Sequence, residues 1–291
     1  MMRVVVATDG STDARSAAQW LADFPVPADT SVLLVGVVNL PPSPIDIPTV
    51  TAFKDALLQE TRGGVDALLP LFKGRVASVE TRVVAGDPRQ EIVQLAHDWS
   101  ADLIVVGARG LGAVATALLG SVSLAIARHA ACAVLVVRPN PRPLRSAAVA
   151  LDGSAGSDHA ARFFAGLPLP ATLAVRLVGV VEPPPVPRTA PKAVVASLHD
   201  AVATVTNDRR RALAAALDRV AKCFPGQPTH ELPVGPPAET LERMSSEVDL
   251  VVVGARGLGT MKRLLLGSVS ERMLRHAACP VLLVHGPPAA S

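Results

Sequence analysis

The chain contains one glycine-rich pattern twice, 147 residues apart, and each copy follows a short apolar run. The pattern reads Gly, two residues, Gly, nine residues and Gly-Ser, and it starts at Gly107 in the first half and at Gly254 in the second. Without gaps, 24 of the 37 positions in 101–137 are identical to those in 248–284. Copies this long predict two domains of one fold rather than a solenoid, because each half has the roughly 100–150 residues of an independent domain.

We expect domain 1 at 1–140, a proline-rich linker at 141–146 and domain 2 at 147–291. In both halves near-continuous apolar runs alternate with helical patterns, which is typical of a parallel sheet with helices on both faces. In the first half the predicted strands are 3–8, 31–39, 76–85, 102–107 and 133–138, and the predicted helices are 13–23, 50–72, 87–99 and 121–130. The sequence therefore predicts an α/β fold of two tandem doubly wound domains, each with a five-stranded parallel sheet.

Composition excludes several classes of partner. Apolar residues make up 49% of the chain and charged residues 18%, as in ordinary globular proteins. No apolar stretch approaches the roughly 18–20 residues of a membrane span. With no tyrosine and 3% aromatic residues, the chain has no stacking platform for single-stranded nucleic acid. We therefore expect neither a membrane nor a nucleic-acid partner. The three cysteines form no C-x-x-C pattern, which predicts reduced thiols and a cytoplasmic location.

The glycine pattern has the geometry of a phosphate site, because a buried strand ends at a glycine turn and a helix then begins with free N–H groups. A simpler interpretation is that Ser121 and Ser268 only cap helices, which would contribute about 1 kcal/mol. That interpretation leaves the preceding glycines unexplained, so we favour phosphate binding. The two loop arginines would cover a phosphate or face solvent. The candidate residues are Gly107, Arg109, Gly110, Gly112, Gly120, Ser121 and Ser123, and in the second copy Gly254, Arg256, Gly257, Gly259, Gly267, Ser268 and Ser270.

An aspartate ends the first strand of each half and adds a second candidate contact. The chain has no Gly-Lys pair, which excludes a Walker A loop, and its first strand leads into Asp-Gly-Ser rather than a dinucleotide fingerprint. Asp9 and Asp152 would lie beside the glycine loop at the switch point of the sheet, where they can accept from an adenine amino group. They can equally form a turn or cap the next helix, and these interpretations do not exclude one another.

The chain resembles a tandem universal stress protein over nearly all of its length. The resemblance rests on Asp9-Gly10-Ser11 and Gly107 to Ser123 in the first half, and on Asp152-Gly153-Ser154 and Gly254 to Ser270 in the second. It implies a sheet order of 3-2-1-4-5 in each domain and the ATP-binding branch of the family. It further implies that ATP, with or without Mg²⁺, contacts the first-strand aspartate and a valine that closes the second strand. The residues concerned are Asp9, Gly10 and Val37 in domain 1, and Asp152, Gly153 and Val180 in domain 2.

The sequence favours a binding and signalling module over an enzyme. Phosphoryl transfer needs a group that orients the nucleophile and oxygens that hold a metal, and the glycine loops contain no carboxylate, glutamine or histidine. We therefore predict an ATP-binding stress-response protein with two nucleotide sites, no catalytic residue and no metal ligands of its own. The alternative is a slow ATPase or a phosphotransfer protein of the same fold.

Two further expectations concern assembly and asymmetry. The final strands, 133–138 and 280–285, are short, apolar and predicted at a sheet edge, and the resemblance implies that they pair the two domains within the chain. A homodimer of the whole chain is expected in addition. The second loop has Lys262-Arg263 where the first has Ala115-Thr116, which predicts tighter, salt-sensitive ATP binding at the second site.

Overall fold

The computed structural model describes residues 1–39, 48–110, 119–183, 192–257 and 266–286, without the side chains of 48–50 and 192–202. Strands and helices alternate through both halves. The first half contains β1 (Arg3–Thr8), α1 (Thr12–Ala22), β2 (Ser31–Val38), α2 (Pro48–Asp66), α3 (Leu69–Phe72), β3 (Ser78–Ala85), α4 (Pro88–Asp98), β4 (Leu103–Gly107), α5 (Ser121–His129) and β5 (Ala133–Val137). The second half contains β6 (Ser146–Ala150), α6 (Ala155–Ala165), β7 (Ala174–Val178), α7 (Lys192–Ala221), β8 (Thr229–Glu231), α8 (Pro237–Met244), β9 (Leu250–Gly254), α9 (Ser268–His276) and β10 (Val281–Val284).

These strands form one continuous sheet in the order β3-β2-β1-β4-β5-β10-β9-β6-β7-β8. Within each half the pairs are parallel and the order is 3-2-1-4-5, which confirms the predicted fold class. The halves meet where β5 and β10 pair antiparallel, with Leu135 opposite Leu282. The predicted pairing through the final strands is therefore confirmed, and it merges the two five-stranded sheets into one. A single chain does not test the homodimer, which stays a prediction.

Helices cover both faces of the sheet because successive side chains of each buried strand point to opposite sides. In β1, Val4 and Val6 pack into the core under α1, α2, α6 and α7. Val5 and Ala7 pack into the second core, under α4, α5, α8 and α9. Burial on both faces explains why these strands read as unbroken apolar runs.

The predicted extent of one helix was wrong. The helix expected over 50–72 is divided into α2 and the short α3, with a turn at residues 67 and 68. Pro70 lies at the start of α3. A proline at this position cannot donate to the carbonyl of Asp66, and its ring clashes with that carbonyl, so α2 cannot continue through it.

Two side chains at equivalent positions cross the junction between the halves. Arg138 Nη2 donates to the carbonyl oxygen of Leu274 at 2.6 Å, near the end of α9. His285 Nε2 lies 3.1 Å from the carbonyl oxygen of Ala127 in α5. The two contacts are related by the same 147-residue offset as the sequence repeat, so the junction is an approximate two-fold interface. Burial lowers the pKa of His285 to about 4, so its neutral ring donates from Nε2.

Candidate nucleotide sites

Each half contains one cavity at the carboxyl ends of its central strands. Site 1 is a cavity of about 310 Å³ whose lining includes Asp9, Val37 and Ser121. Site 2 is a cavity of about 920 Å³ whose lining includes Asp152 and Ser268. Parallel neighbours end at the same edge of a sheet, which brings the residues after β1 next to those after β4, and the residues after β6 next to those after β9.

The cavities bring together most of the residues that the sequence singled out. Site 1 is lined by Asp9, Val37, Gly107, Arg109, Gly110, Gly120, Ser121 and Ser123. Site 2 is lined by Asp152, Gly153, Val180, Gly254, Arg256, Gly257, Gly267, Ser268 and Ser270. Gly10 does not line site 1 but forms the turn after β1, with a φ of +82°. The remaining predicted positions lie outside the described residues, namely Gly112, Gly259, Ala115, Thr116, Lys262 and Arg263.

The two aspartates form turns at the ends of the first strands. Asp9 Oδ1 accepts from the backbone N–H of Ser11 at 3.0 Å, and Asp152 Oδ1 accepts from that of Ser154 at 2.9 Å. The turn interpretation is therefore confirmed. The caps of α1 and α6 are the serines rather than the aspartates, because the hydroxyls of Ser11 and Ser154 accept from first-turn N–H groups.

Four of the motif glycines lie close to other parts of the protein, two of them against backbone and two against an aspartate side chain. A Cβ on Gly107 would lie 2.8 Å from the backbone carbon of Asp13, so this glycine lets the start of α1 approach the end of β4. Gly254 meets the backbone of Gly156 in the same way, at 3.0 Å. A Cβ on Gly110 would overlap with Asp9 Oδ2, and one on Gly257 with Asp152 Oδ2. These four glycines therefore shape the site without any need for a ligand.

The glycines before α5 and α9 are different. Gly120 and Gly267 have ordinary φ values of −70° and −66°, and the nearest atom to an added Cβ would be 3.3 Å away at Gly120 and 3.5 Å at Gly267. They are the N-caps themselves, so the simpler interpretation, in which Ser121 and Ser268 cap these helices, was wrong. Both helices begin without a side-chain cap, whereas α1, α4 and α6 each have one. Their first-turn N–H groups consequently have no partner inside the helix.

Ser123 and Ser270 have a structural role that the sequence did not indicate. The hydroxyl of Ser123 donates to the carbonyl oxygen of Gly107 at 2.7 Å, and that of Ser270 donates to Gly254 at 2.6 Å. Each bond fastens the first turn of the helix to the end of the neighbouring strand. The hydroxyl hydrogens are therefore directed at the protein, while the residues of the same first turn line the cavity.

The sequence missed a set of lining residues on helices. Site 1 is closed by Pro88 and Ile92 of α4, and site 2 by the equivalent Pro237 and Leu241 of α8. Their signal was present in the matching Gly-Asp-Pro and Gly-Pro-Pro turns that precede these helices. Site 2 also has a helix wall at positions three and four apart on α7, which are Arg209, Ala212, Leu213, Ala216 and Arg219.

The described residues contain no cluster of three or more His, Cys, Asp or Glu side chains that could hold a metal ion. None of the helices in the described ranges is both long and apolar enough to cross a membrane.

All three cysteines are free. Burial raises the pKa of Cys132 to about 11 and that of Cys279 to about 12, so both thiols stay protonated near neutral pH. Neither thiol is a nucleophile in this state.

Comparison with known sequences points to one family. The sequence profile described as the universal stress protein family matches residues 1–138 and 144–285. A universal stress protein of Mycobacterium tuberculosis is 31% identical over 300 residues, which cover 96% of this chain and 96% of that protein. Another, from Mycobacterium bovis, is 29% identical over 315 residues, covering 98% of this chain and 95% of that protein.

Solved structures show the same fold. The crystal structure of a universal stress protein from Archaeoglobus fulgidus has a TM-score of 0.64 and 18% identity, and the match covers 97% of this chain and 98% of that one. At this identity the likeness concerns the fold alone. A universal stress protein solved in complex with cAMP is 29% identical, with a TM-score of 0.33, and matches 48% of this chain and 98% of its own.

Proposed function

The chain belongs to the universal stress protein family, and we propose that each of its two domains binds one adenine nucleotide, ATP in particular. The strongest support is the pair of uncapped helix starts at α5 and α9, each of which opens into a cavity. Unpartnered N–H groups at the positive end of a helix bind a phosphate well. Packing leaves room for a Cβ at Gly267 and requires only a small shift of the Ala108 carbonyl at Gly120, whereas a phosphate that approaches the backbone closely favours glycine at both positions.

The opposite wall of each cavity suits a purine base. Val37 and Ile92 give site 1 an apolar surface, and Val180 and Leu241 do the same in site 2. Ligand sites combine such apolar walls with a few polar groups that fix orientation. The first-strand aspartate supplies a carboxylate at this wall, and its acceptor oxygens match the amino group of adenine.

We assign the protein a binding and signalling role in a stress response rather than fast catalysis. The carboxylates that line the described part of the sites are Asp9 and Asp152, which form turns, and the exposed Glu182. Fast phosphoryl transfer would require a metal held by protein oxygens and a group that orients the nucleophile. Any Mg²⁺ would therefore arrive with the nucleotide, bound to its phosphates. Three free thiols support a cytoplasmic setting.

Alanine at either N-cap glycine should disable its own site only. Gly120→Ala and Gly267→Ala each add one methyl group where the phosphate approaches, and we expect each to weaken ATP binding at that site by about tenfold or more. The fold should remain intact, because the new Cβ at Gly267 makes an ordinary contact of 3.5 Å, and the new Cβ at Gly120 requires the Ala108 carbonyl, 3.3 Å away, to shift by only a few tenths of an ångström. Isothermal titration calorimetry should give two ATP sites in the natural chain and one strong site in each variant.

Gly226→Ala is the matched control, because Gly226 is exposed, has nothing within 4 Å of an added Cβ and lines neither site. It should leave both affinities unchanged. Natural protein that binds no ATP would overturn the proposed function. ATP that is converted to ADP at a steady rate during the titration would overturn the non-catalytic assignment alone.

A further inference from the structure

The two sites differ in the charge that surrounds the loop arginine. Arg109 Nε lies 3.1 Å from Asp13 Oδ2, and the Asp13 side chain is only 13% exposed. In domain 2 the position of Asp13 is occupied by Gly156, and among the described residues no carboxylate oxygen lies within 4.0 Å of the Arg256 guanidinium. The charge of Arg109 is therefore compensated inside the protein, whereas that of Arg256 is available to a ligand.

A second arginine lines site 2 from α7, and the part of site 1 that the structure describes has no counterpart of it. Arg209 lines site 2, and its guanidinium donates to the backbone carbonyl of Glu182 rather than to a carboxylate. Phe72 and Phe224 occupy equivalent buried positions after α2 and α7, and this register places Leu57 where domain 2 has Arg209. A carbonyl partner leaves the positive charge of Arg209 uncompensated.

These two differences between the domains determine the net charge around each site. The lining of site 1 contains Asp9 and Arg109, and Asp13 behind it adds a further negative charge. Among the described residues, the lining of site 2 contains three arginines and two carboxylates, namely Arg209, Arg219, Arg256, Asp152 and Glu182. Arg219 is paired with Asp158 at 2.7 Å, so Arg209 and Arg256 balance the two carboxylates of site 2, whereas site 1 keeps one net negative charge. Site 2 is therefore the more positive of the two.

The more positive site also has the larger cavity. Ligand pockets span roughly 300–1,000 Å³, and site 1 at about 310 Å³ lies near the lower end while site 2 at about 920 Å³ lies near the upper end. In domain 1 the α2 side chains of Thr61 and Val65 press onto Gly36 of β2. In domain 2 Leu213 of α7 packs on the equivalent Gly179, and Ala212 and Ala216 beside it line the cavity.

We propose that site 2 is selective for nucleotides with a polyphosphate chain, such as ATP, whereas site 1 binds AMP and ATP with little discrimination. This assignment rests on the proposed function, since it concerns the ligands of the same two sites. At site 2 the additional phosphates of ATP are attracted by the positive charges of Arg209 and Arg256, which no carboxylate among the described residues pairs with. At site 1 they meet an arginine that Asp13 already neutralises.

The test measures ATP and AMP dissociation constants by calorimetry in chains with a single intact site. Gly120→Ala reports site 2 and Gly267→Ala reports site 1. Exposed charge pairs are worth about 0.2–1 kcal/mol each, so two arginines should raise the ATP-to-AMP affinity ratio at site 2 about two- to thirtyfold above that at site 1. The difference should shrink in high salt.

Two substitutions test whether Asp13 and Arg209 cause the difference in nucleotide preference. Asp13→Asn in the Gly267→Ala chain should raise the ATP-to-AMP ratio of site 1, and Arg209→Leu in the Gly120→Ala chain should lower that of site 2. Asp23→Asn is the charge-matched control, because Asp23 also pairs with an arginine, Arg75, at 2.7 Å, lies at the C-terminal end of α1 and lines neither cavity, and it should change neither ratio.

Equal ratios at the two sites, or an Asp13→Asn variant with an unchanged ratio, would overturn this assignment and leave the proposed function standing. No binding of either nucleotide at either site would overturn the proposed function itself, and the assignment with it.

Discussion

Leu282→Ala is expected to lower the free energy of unfolding by about 2–5 kcal/mol, because it opens a cavity at the centre of the ten-stranded sheet. Leu282 is fully buried and lies opposite Leu135 in the antiparallel pair that joins the halves. Both side chains pack into the same apolar core, to which α1 and α6 contribute from the two domains. The loss should therefore reach both domains and not only the one that carries the substitution.

Urea denaturation followed by circular dichroism measures this effect. The natural chain and Leu282→Ala should each unfold in one transition, with the variant shifted to lower urea. Val234→Ala provides a control of similar chemistry, since Val234 is 51% exposed, and it should change the unfolding free energy by less than about 0.5 kcal/mol. Two separate transitions, with only one of them shifted by Leu282→Ala, would show that the junction does not couple the domains.

Acid should destabilise the protein through His285. Burial is the main cause that lowers its pKa to about 4, and the nearby charge of Arg256 adds to this, while the bond to the Ala127 carbonyl acts in the opposite direction. In the unfolded chain the same ring titrates near 6.5, so the unfolded state binds the proton more readily. The neutral His285 ring therefore stabilises the folded state fully above pH 6.5. This stabilisation is lost as the pH falls towards about 4, and the total loss is roughly 3 kcal/mol of unfolding free energy.

In the natural chain, the unfolding free energy measured at pH 5 should be lower than that at pH 7.5 by roughly 2 kcal/mol because of His285. His285→Gln keeps a donor for the Ala127 carbonyl but does not titrate, so its stability should fall much less over the same interval. His129→Gln is the matched control, because His129 is exposed in α5, and it should retain the natural pH dependence. An unchanged pH dependence in His285→Gln would contradict the assignment.

The fold could be predicted because its signals are local. Apolar runs such as 33–38 and 102–107 indicate buried parallel strands, and the exposed apolar edge of the final strands indicates the pairing that joins the domains. The strand order came from the family resemblance. Pro70 was also visible in the sequence, and the rule for proline inside a helix would have divided the predicted helix at that point.

The site could be located but not resolved by sequence alone. The spacing of the motif does not reveal that Gly107 is required by the backbone of α1 and Gly120 is not, because that distinction depends on which atoms lie near each Cβ. The partner of the Ser123 hydroxyl and the pairing of Arg109 with Asp13 likewise depend on contacts between residues 16 and 96 positions apart. The α7 wall of site 2 depends on how a helix packs over the sheet.

A crystal structure determined with ATP tests the central claim most directly. We expect nucleotide density in both cavities, with the base beside Val37 at site 1 and beside Val180 at site 2. The phosphates should lie within hydrogen-bond distance, about 2.7–3.2 Å, of the N–H groups that begin α5 and α9. Crystals grown at saturating ATP in which both cavities hold only solvent, or in which the phosphates lie away from Gly120 and Gly267, would contradict the account.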